Sequence, residues 1–145
     1  MHYVCEVEIA APVARVVELM TDFDRAPEWT SGLRSNDTVK GERGRAGSAN
    51  ELRFEGVPGD GVMVEHVVRV EEREFEVVYR LGPVRNANVN RFEDVGEGRT
   101  RWIADHVFDL PPGMEQGLGP DAVEGFRTNT QHAMEGFRTW CEANA

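Results

Sequence analysis

"IAAPVARVVELMTDFDRAPEWTSGL", residues 9 to 33, decides how this chain folds. Val13, Val16, Val17 and Met20 recur at helical spacing, and Pro12 stands in the first turn, where a helix tolerates a missing N–H. The stretch therefore predicts a short amphipathic helix running to Asp22. Asp24 is placed to cap a second helical turn through Glu28, closed by Trp29 and the Thr30-Ser31-Gly32 break. Helices of this length are marginal in isolation. They must pack against something that the rest of the chain builds.

On the N-terminal side, Tyr3, Cys5, Val7 and Ile9 alternate with Val4, Glu6 and Glu8, the period-2 pattern of a half-buried strand. On the C-terminal side, residues 33 to 110 are short runs rich in Val, Phe, Tyr, Thr and Trp. They are broken at "KGERGRAG", "GVPGDG", "EERE", "LGP" and "DVGEGR". That cadence predicts six further antiparallel strands rather than βαβ units. Phe75, Val77, Tyr79 and Leu81 share one strand face, opposite Glu74, Glu76, Val78 and Arg80. After the Pro/Gly stretch "LPPGMEQGLGP", Val123, Phe126, Thr130, Met134, Phe137 and Cys141 fall three or four apart, with Trp140 beside them, over about five turns at ~3.6 residues each. The expected architecture is α+β. A curved sheet of seven antiparallel strands wraps a long C-terminal helix, two short helices close one end, and an internal cavity lies between, all in a single domain over residues 1–145.

Composition narrows the function. The 145 residues carry 26 acidic against 16 basic side chains, a net charge of −10, and form no basic stripe for nucleic acid or an anionic membrane. "MHYVCEVEIA" lacks the charged, apolar and small-residue regions of a signal peptide, so a cytoplasmic location is expected, without membrane attachment. Cys5 and Cys141 have no C-x-x-C spacing and read as buried thiols. The four histidines lack ligand-like spacing, so neither a metal nor another cofactor is expected. No G-x-S-x-G, H-E-x-x-H or P-loop lysine occurs, and "GERGRAG" reads as a hairpin connection.

The informative residues are polar ones on strand faces that should be dry. Thr100, Trp102, Ala104, His106 and Phe108 share a face of the last strand, which aims His106 the same way as Trp102 and Phe108. Asn86, Asn88 and Asn90 alternate with Ala87 and Val89. Asn is a poor strand former, so three in step mark either a polar lining of the interior or a ladder facing solvent. In "VMVEHVVRVE" the more apolar set is Val62, Val64, His66, Val68 and Val70, which aims His66 inward. Arg69 falls in the other set, and only a bulge would turn both the same way.

In its order of elements, in "VEIAAPVARVVELMTDFDRAPEW" and in the turn Gly96-Glu97-Gly98-Arg99-Thr100, the chain resembles the helix-grip superfamily of START, plant pathogenesis-related and polyketide cyclase domains. Its C-terminal half, "LGPVRNANVNRFEDVGEGRTRW", "HVFDLPPG" and the helix bearing Thr128-Asn129-Thr130 and Ala133-Met134-Glu135, is most similar to the aromatase/cyclases of aromatic polyketide synthesis. It departs from them where Leu33, Met63 and Glu65 replace aromatic residues of the family pattern. The resemblance implies aldol closure and dehydration of a poly-β-ketone. His106 would be the acid/base residue and Arg69 the oxyanion holder. His66, Tyr79, Asn86, Asn88, Asn90, Trp102, Phe108, Thr130 and Met134 would contact the substrate. The implied partner is a hydrophobic or aromatic small molecule, with an acyl carrier protein as the candidate that delivers it to a monomer or homodimer. Two other classes fit the same fold: a carrier or sensor of a hydrophobic molecule, and an interaction module using the apolar valines of the His66 strand. Residues 111–120 read as the rim or gate of the pocket, or as a plain connector.

Overall fold

The computed structural model describes residues 1–56 and 61–145. The centre of the "GVPGDG" break, residues 57–60, lies outside the described residues. The order is β1 (His2–Ile9), α1 (Val13–Met20), a 3-10 turn (Phe23–Arg25), α2 (Ala26–Trp29), and six strands: β2 (Leu33–Lys40), β3 (Ala49–Phe54), β4 (Val62–Val70), β5 (Glu74–Leu81), β6 (Val84–Gly96) and β7 (Arg99–Asp109). A short α3 (Pro112–Gln116) and the long α4 (Pro120–Asn144) follow. All pairings are antiparallel and the sheet order is β1-β7-β6-β5-β4-β3-β2. The seven-stranded curved sheet and its long C-terminal helix are those of the helix-grip fold.

Sequence-adjacent strands pair through β2 to β7, and β1 is carried to the far edge to pair with β7, with Tyr3 opposite His106 and Val7 opposite Trp102. The segment between β1 and β2 makes that crossing. The buried Thr100 hydroxyl donates to the Ala11 carbonyl at 2.7 Å, which pins the entry of α1 to β7. Pro12, in extended conformation, caps α1 rather than lying inside it. Val13, Val16, Leu19 and Met20 then face the core. Burial of each such side chain is worth ~1.5–3 kcal/mol, which is what a helix this short needs to persist. The second helical turn starts after a 3-10 turn, and Asp24 pairs with Arg43 instead of capping it.

The helix stripe is buried at Met134, Phe137 and Cys141 and opens toward its N-terminus, where Phe126 is 37% exposed. α4 packs along β1 and reaches α2. Phe137 is fully buried between Trp29, Trp102 and Trp140, in edge contact with the first two at 4.9 and 5.4 Å between ring centres. Cys5 and Cys141 are buried free thiols, and burial pushes Cys141 up to about 11.

Strand β4 corrects two expectations. Its inward residues are Glu65 and Val67, while His66 lies opposite Ala49 and Val78 on the outer face. The apolar set Val64, His66 and Val68 turns outward because Ala49, Val78, Ala87 and Val107 continue it as an apolar strip across the convex side of the sheet. A bulge is present between Val67 and Arg69, but it acts opposite to the one imagined from sequence. It sets Arg69 opposite Glu76 on the outside, where Arg69 bonds Glu74 and Glu76 and pairs with Glu71. Neither His66 nor Arg69 reaches the interior.

Candidate functional site

Cross-strand register, more than any single residue, builds the site. On the concave face, Thr38 lies opposite Asn50, Asn50 opposite Glu65, Glu65 opposite Tyr79, Tyr79 opposite Asn86, and Asn86 opposite Phe108. Five neighbouring strands each give one polar residue to a single row perpendicular to the chain direction. The next row is Val67, Val77, Asn88, His106 and Tyr3, and the one after it Phe75, Asn90, Ala104 and Cys5. The polar lining thus crosses β2 to β6 in one row and continues on β6, β7 and β1 in the next, through Asn88, His106 and Tyr3.

One end of the polar row is tied by a chain of hydrogen bonds. Arg43 Nε donates to Asp24 at 2.9 Å and its Nη1 donates to Thr38 Oγ1 at 2.8 Å. Thr38 donates to Asn50 Oδ1 at 2.7 Å, and Asn50 Nδ2 donates to Glu65 Oε1 at 2.9 Å. The loop carrying Arg43 closes tightly at Gly41, whose φ is +72° and where a Cβ would stand 3.0 Å from the Ser48 Cα. Only glycine fits there without displacing backbone. Glu65 is 4% exposed, and burial raises its carboxyl above the ordinary range against the opposing Asn50 and Tyr79 hydrogen bonds. Burial, followed by the charge of Glu65, holds the Tyr79 phenol well above its ordinary value.

At the other end, Tyr3, His106 and Phe108 stack nearly parallel, with interplanar angles of 17° and 15° about the imidazole. The Tyr3 and Thr130 hydroxyls bond at 2.6 Å, joining this stack to α4. Asn86 Nδ2 lies 3.2 Å from His106 Nδ1. Burial lowers His106 to about 4 against a weaker pull from Asp105, so the imidazole is neutral near pH 7. A ring with so low a proton affinity is a poor general base and a suitable neutral hydrogen-bonding partner.

Other residues singled out from sequence divide into two kinds. Trp102 Nε1 donates to Asn90 Oδ1 at 2.8 Å and Asn90 Nδ2 donates to the Phe75 carbonyl, so these two are committed to each other within the core. Met134 is buried on α4 in the same core cluster as Trp102. Asn86 and Asn88 differ, since the side-chain oxygen of each is buried without a partner, as are Asn36 Oδ1 and the indole N–H of Trp29. Buried acceptors cost about 1–3 kcal/mol when unpaired, so such atoms mark places where a ligand hydroxyl or water belongs. Toward the β5–β6 turn the lining becomes apolar and more open, with Met63 and Phe54 half-buried and Leu81 40% exposed. Phe126, whose ring centre lies 5.5 Å from that of Phe108, is exposed at the same end, as is Met114 of α3, which follows the end of β7. The segment 111–120 therefore borders the open end, in part as the helical turn of α3.

Glu65 and Asn50 were missed by the sequence reading. Their signal is that each alternates with apolar neighbours, Glu65 with Met63 and Val67, and Asn50 with Leu52 and Phe54. A separate groove of about 520 Å³ at the β4–β5 turn, lined by Glu71, Glu72, Arg73, Glu74, Arg91, Phe92 and Glu93, sits at the opposite end of β5 from this lining. Among the described residues no helix is long and apolar enough to cross a membrane.

None of the curated proteins compared with this chain matches it. Solved structures share its fold. TTHA0849 from Thermus thermophilus is 19% identical with a TM-score of 0.79, covering 100% of this chain and 99% of that one. A START superfamily protein from Mycobacterium smegmatis is 16% identical with a TM-score of 0.77, covering 99% of both. DynU16, described as a putative protein in the dynemicin biosynthetic locus, is 19% identical with a TM-score of 0.70, covering 99% of this chain and 48% of that one. Residues 2–142 match the model of the family "Polyketide cyclase / dehydrase and lipid transport". With that match spanning nearly its whole length, the chain belongs to the polyketide cyclase/dehydrase and lipid transport family.

Proposed function

We propose that this protein binds a poly-β-ketone, or the aromatic intermediate formed from it, between the concave sheet face and α4, and promotes its aldol cyclisation and dehydration. The observation that carries the reading is the two-row polar lining inside an otherwise aromatic and aliphatic interior, with the Asn86 and Asn88 oxygens left unpaired. A purely apolar ligand would leave those acceptors unsatisfied. A ligand bearing enol or phenol hydroxyls satisfies them and still buries its rings against Tyr3, Phe108 and Tyr79. The family description and the likeness in fold to a protein of a biosynthetic locus support the same class of ligand. Fixing a folded chain against this lining would bring the reacting carbons together, itself a large share of the barrier reduction.

A second reading, carriage without turnover, draws on the lipid-transport part of the family description. Both are tested by co-expressing a minimal polyketide synthase with and without this protein and separating the products by liquid chromatography and mass spectrometry. The cyclase reading expects a new cyclised, dehydrated product. An unchanged profile with a polyketide co-purifying on the protein assigns it as a carrier.

A further inference from the structure

We propose that Glu65 and Tyr79 form the proton-transfer centre of this site, a role resting on the cyclase reading above. They are cross-strand partners on adjacent strands, at the middle of the polar row. The carboxyl is held from behind by Asn50, which is held by Thr38, and Thr38 by Arg43, so its orientation is fixed by a chain running out to Asp24. On the other side Tyr79 is directly opposite Asn86, whose oxygen is unpaired. Met63 and Leu81 share the inward faces of β4 and β5 with the pair, one step nearer the more open end of the lining. A carboxyl in such an apolar, water-poor position is otherwise costly, and a packing role alone would be served by an amide or an apolar side chain.

The step balances without an added reagent. The Glu65 carboxylate takes a proton from a methylene between two ketones, and the carbanion forms a C–C bond to a carbonyl carbon of the same chain. The alkoxide that results takes the proton of the Tyr79 hydroxyl. The proton on Glu65 then passes to the Tyr79 phenolate, which restores both groups. In the dehydration the carboxylate again removes a C–H proton, the C–O bond breaks, and hydroxide leaves as water with the proton from Tyr79. Burial raises the proton affinity of both groups, so the carboxylate, once formed, is a stronger base than an exposed one, and the charge of Glu65 opposes ionisation of Tyr79, so the pair carries no more than one negative charge.

The test uses the full chain in the minimal-synthase co-expression, comparing wild type with Glu65→Gln, Tyr79→Phe and the outer-face variant His66→Gln, alongside binding of emodin to each purified protein. Expected is a loss of cyclised product of about a hundredfold or more in Glu65→Gln, a reduction in Tyr79→Phe, and retained product in His66→Gln, with emodin binding kept by Glu65→Gln. Gln accepts the Asn50 hydrogen bond. If Glu65→Gln nevertheless fails to fold, Tyr79→Phe, which deletes only a hydroxyl, carries the test. Wild-type product from folded Glu65→Gln and Tyr79→Phe overturns the assignment and leaves the cyclase reading standing. If wild type itself adds no product, the cyclase reading falls and this role falls with it.

Discussion

Phe137→Ala lowers the stability of this protein by about 3–5 kcal/mol, the cost of removing a buried aromatic ring and leaving a space behind. Phe137 has no exposed surface and is the contact through which α4, α2 and β7 hold one another, by way of Trp29 and Trp102. Edge-to-face ring pairs add about 0.5–1.5 kcal/mol beyond area. The same change three turns earlier on the same helix, Phe126→Ala, removes a side chain that is 37% exposed and costs well under half as much. Denaturant melts of the two variants measure the difference. Equal losses would show that the helix is not clamped at Phe137.

The second large effect is a pH dependence centred on His106. Its proton affinity is lowered on folding, to about 4 from about 6.5, because the buried imidazole resists charging. The stability this contributes is fully present above about pH 6.5. It is lost as pH falls toward 4, because the unfolded chain takes up a proton that the native protein refuses. The loss is about 3 kcal/mol by the usual conversion of ~1.4 kcal/mol per pH unit. His106→Gln cannot titrate and keeps an amide for Asn86, so the stability gap between wild type and variant shifts by that amount, in favour of the variant, between neutral pH and pH ~4. Urea melts at the two ends of the window read it. Glu65 works in the other direction. Its raised carboxyl costs the native state stability as pH climbs from the ordinary glutamate range through its folded value, so Glu65→Gln gains on wild type toward alkaline pH. A gap that stays constant for His106→Gln would mean the imidazole is hydrated.

Alternation, breaks and helical spacing made the element order legible, because strands with one dry face and a helix with one apolar stripe must write those periods into the chain. Alternation also aligned His106 with Trp102 and Phe108, and Asn86 with Asn88 and Asn90. It could not say which of two faces is the dry one where both are mixed. In β4 the more apolar set turned out to be the convex one, and that choice is made by neighbours: Asn50 and Tyr79 receive Glu65, while Ala49 and Val78 flank His66. The bulge between Val67 and Arg69 reverses the face of everything after it and has no glycine or proline to announce it. Arg69 was lost as a pocket residue for that reason. Glu65 stayed hidden because a charged residue in a strand ordinarily faces water, and only the register of three strands brings its partners beside it.

The polar lining of the concave face is the centre of this account, and the side-chain amide NMR spectrum tests it most directly. Emodin, a hydroxylated tricyclic aromatic, is titrated into the labelled protein, with anthraquinone, which has the rings and lacks the hydroxyls, as the comparison. The account predicts saturable shifts of the Asn86 and Asn88 amide groups with emodin, and much weaker binding of anthraquinone, since only the first can donate to the unpaired oxygens. Shifts confined to the convex strip around His66 and Val78, or equal binding of the two compounds with Asn86 and Asn88 undisturbed, would contradict it.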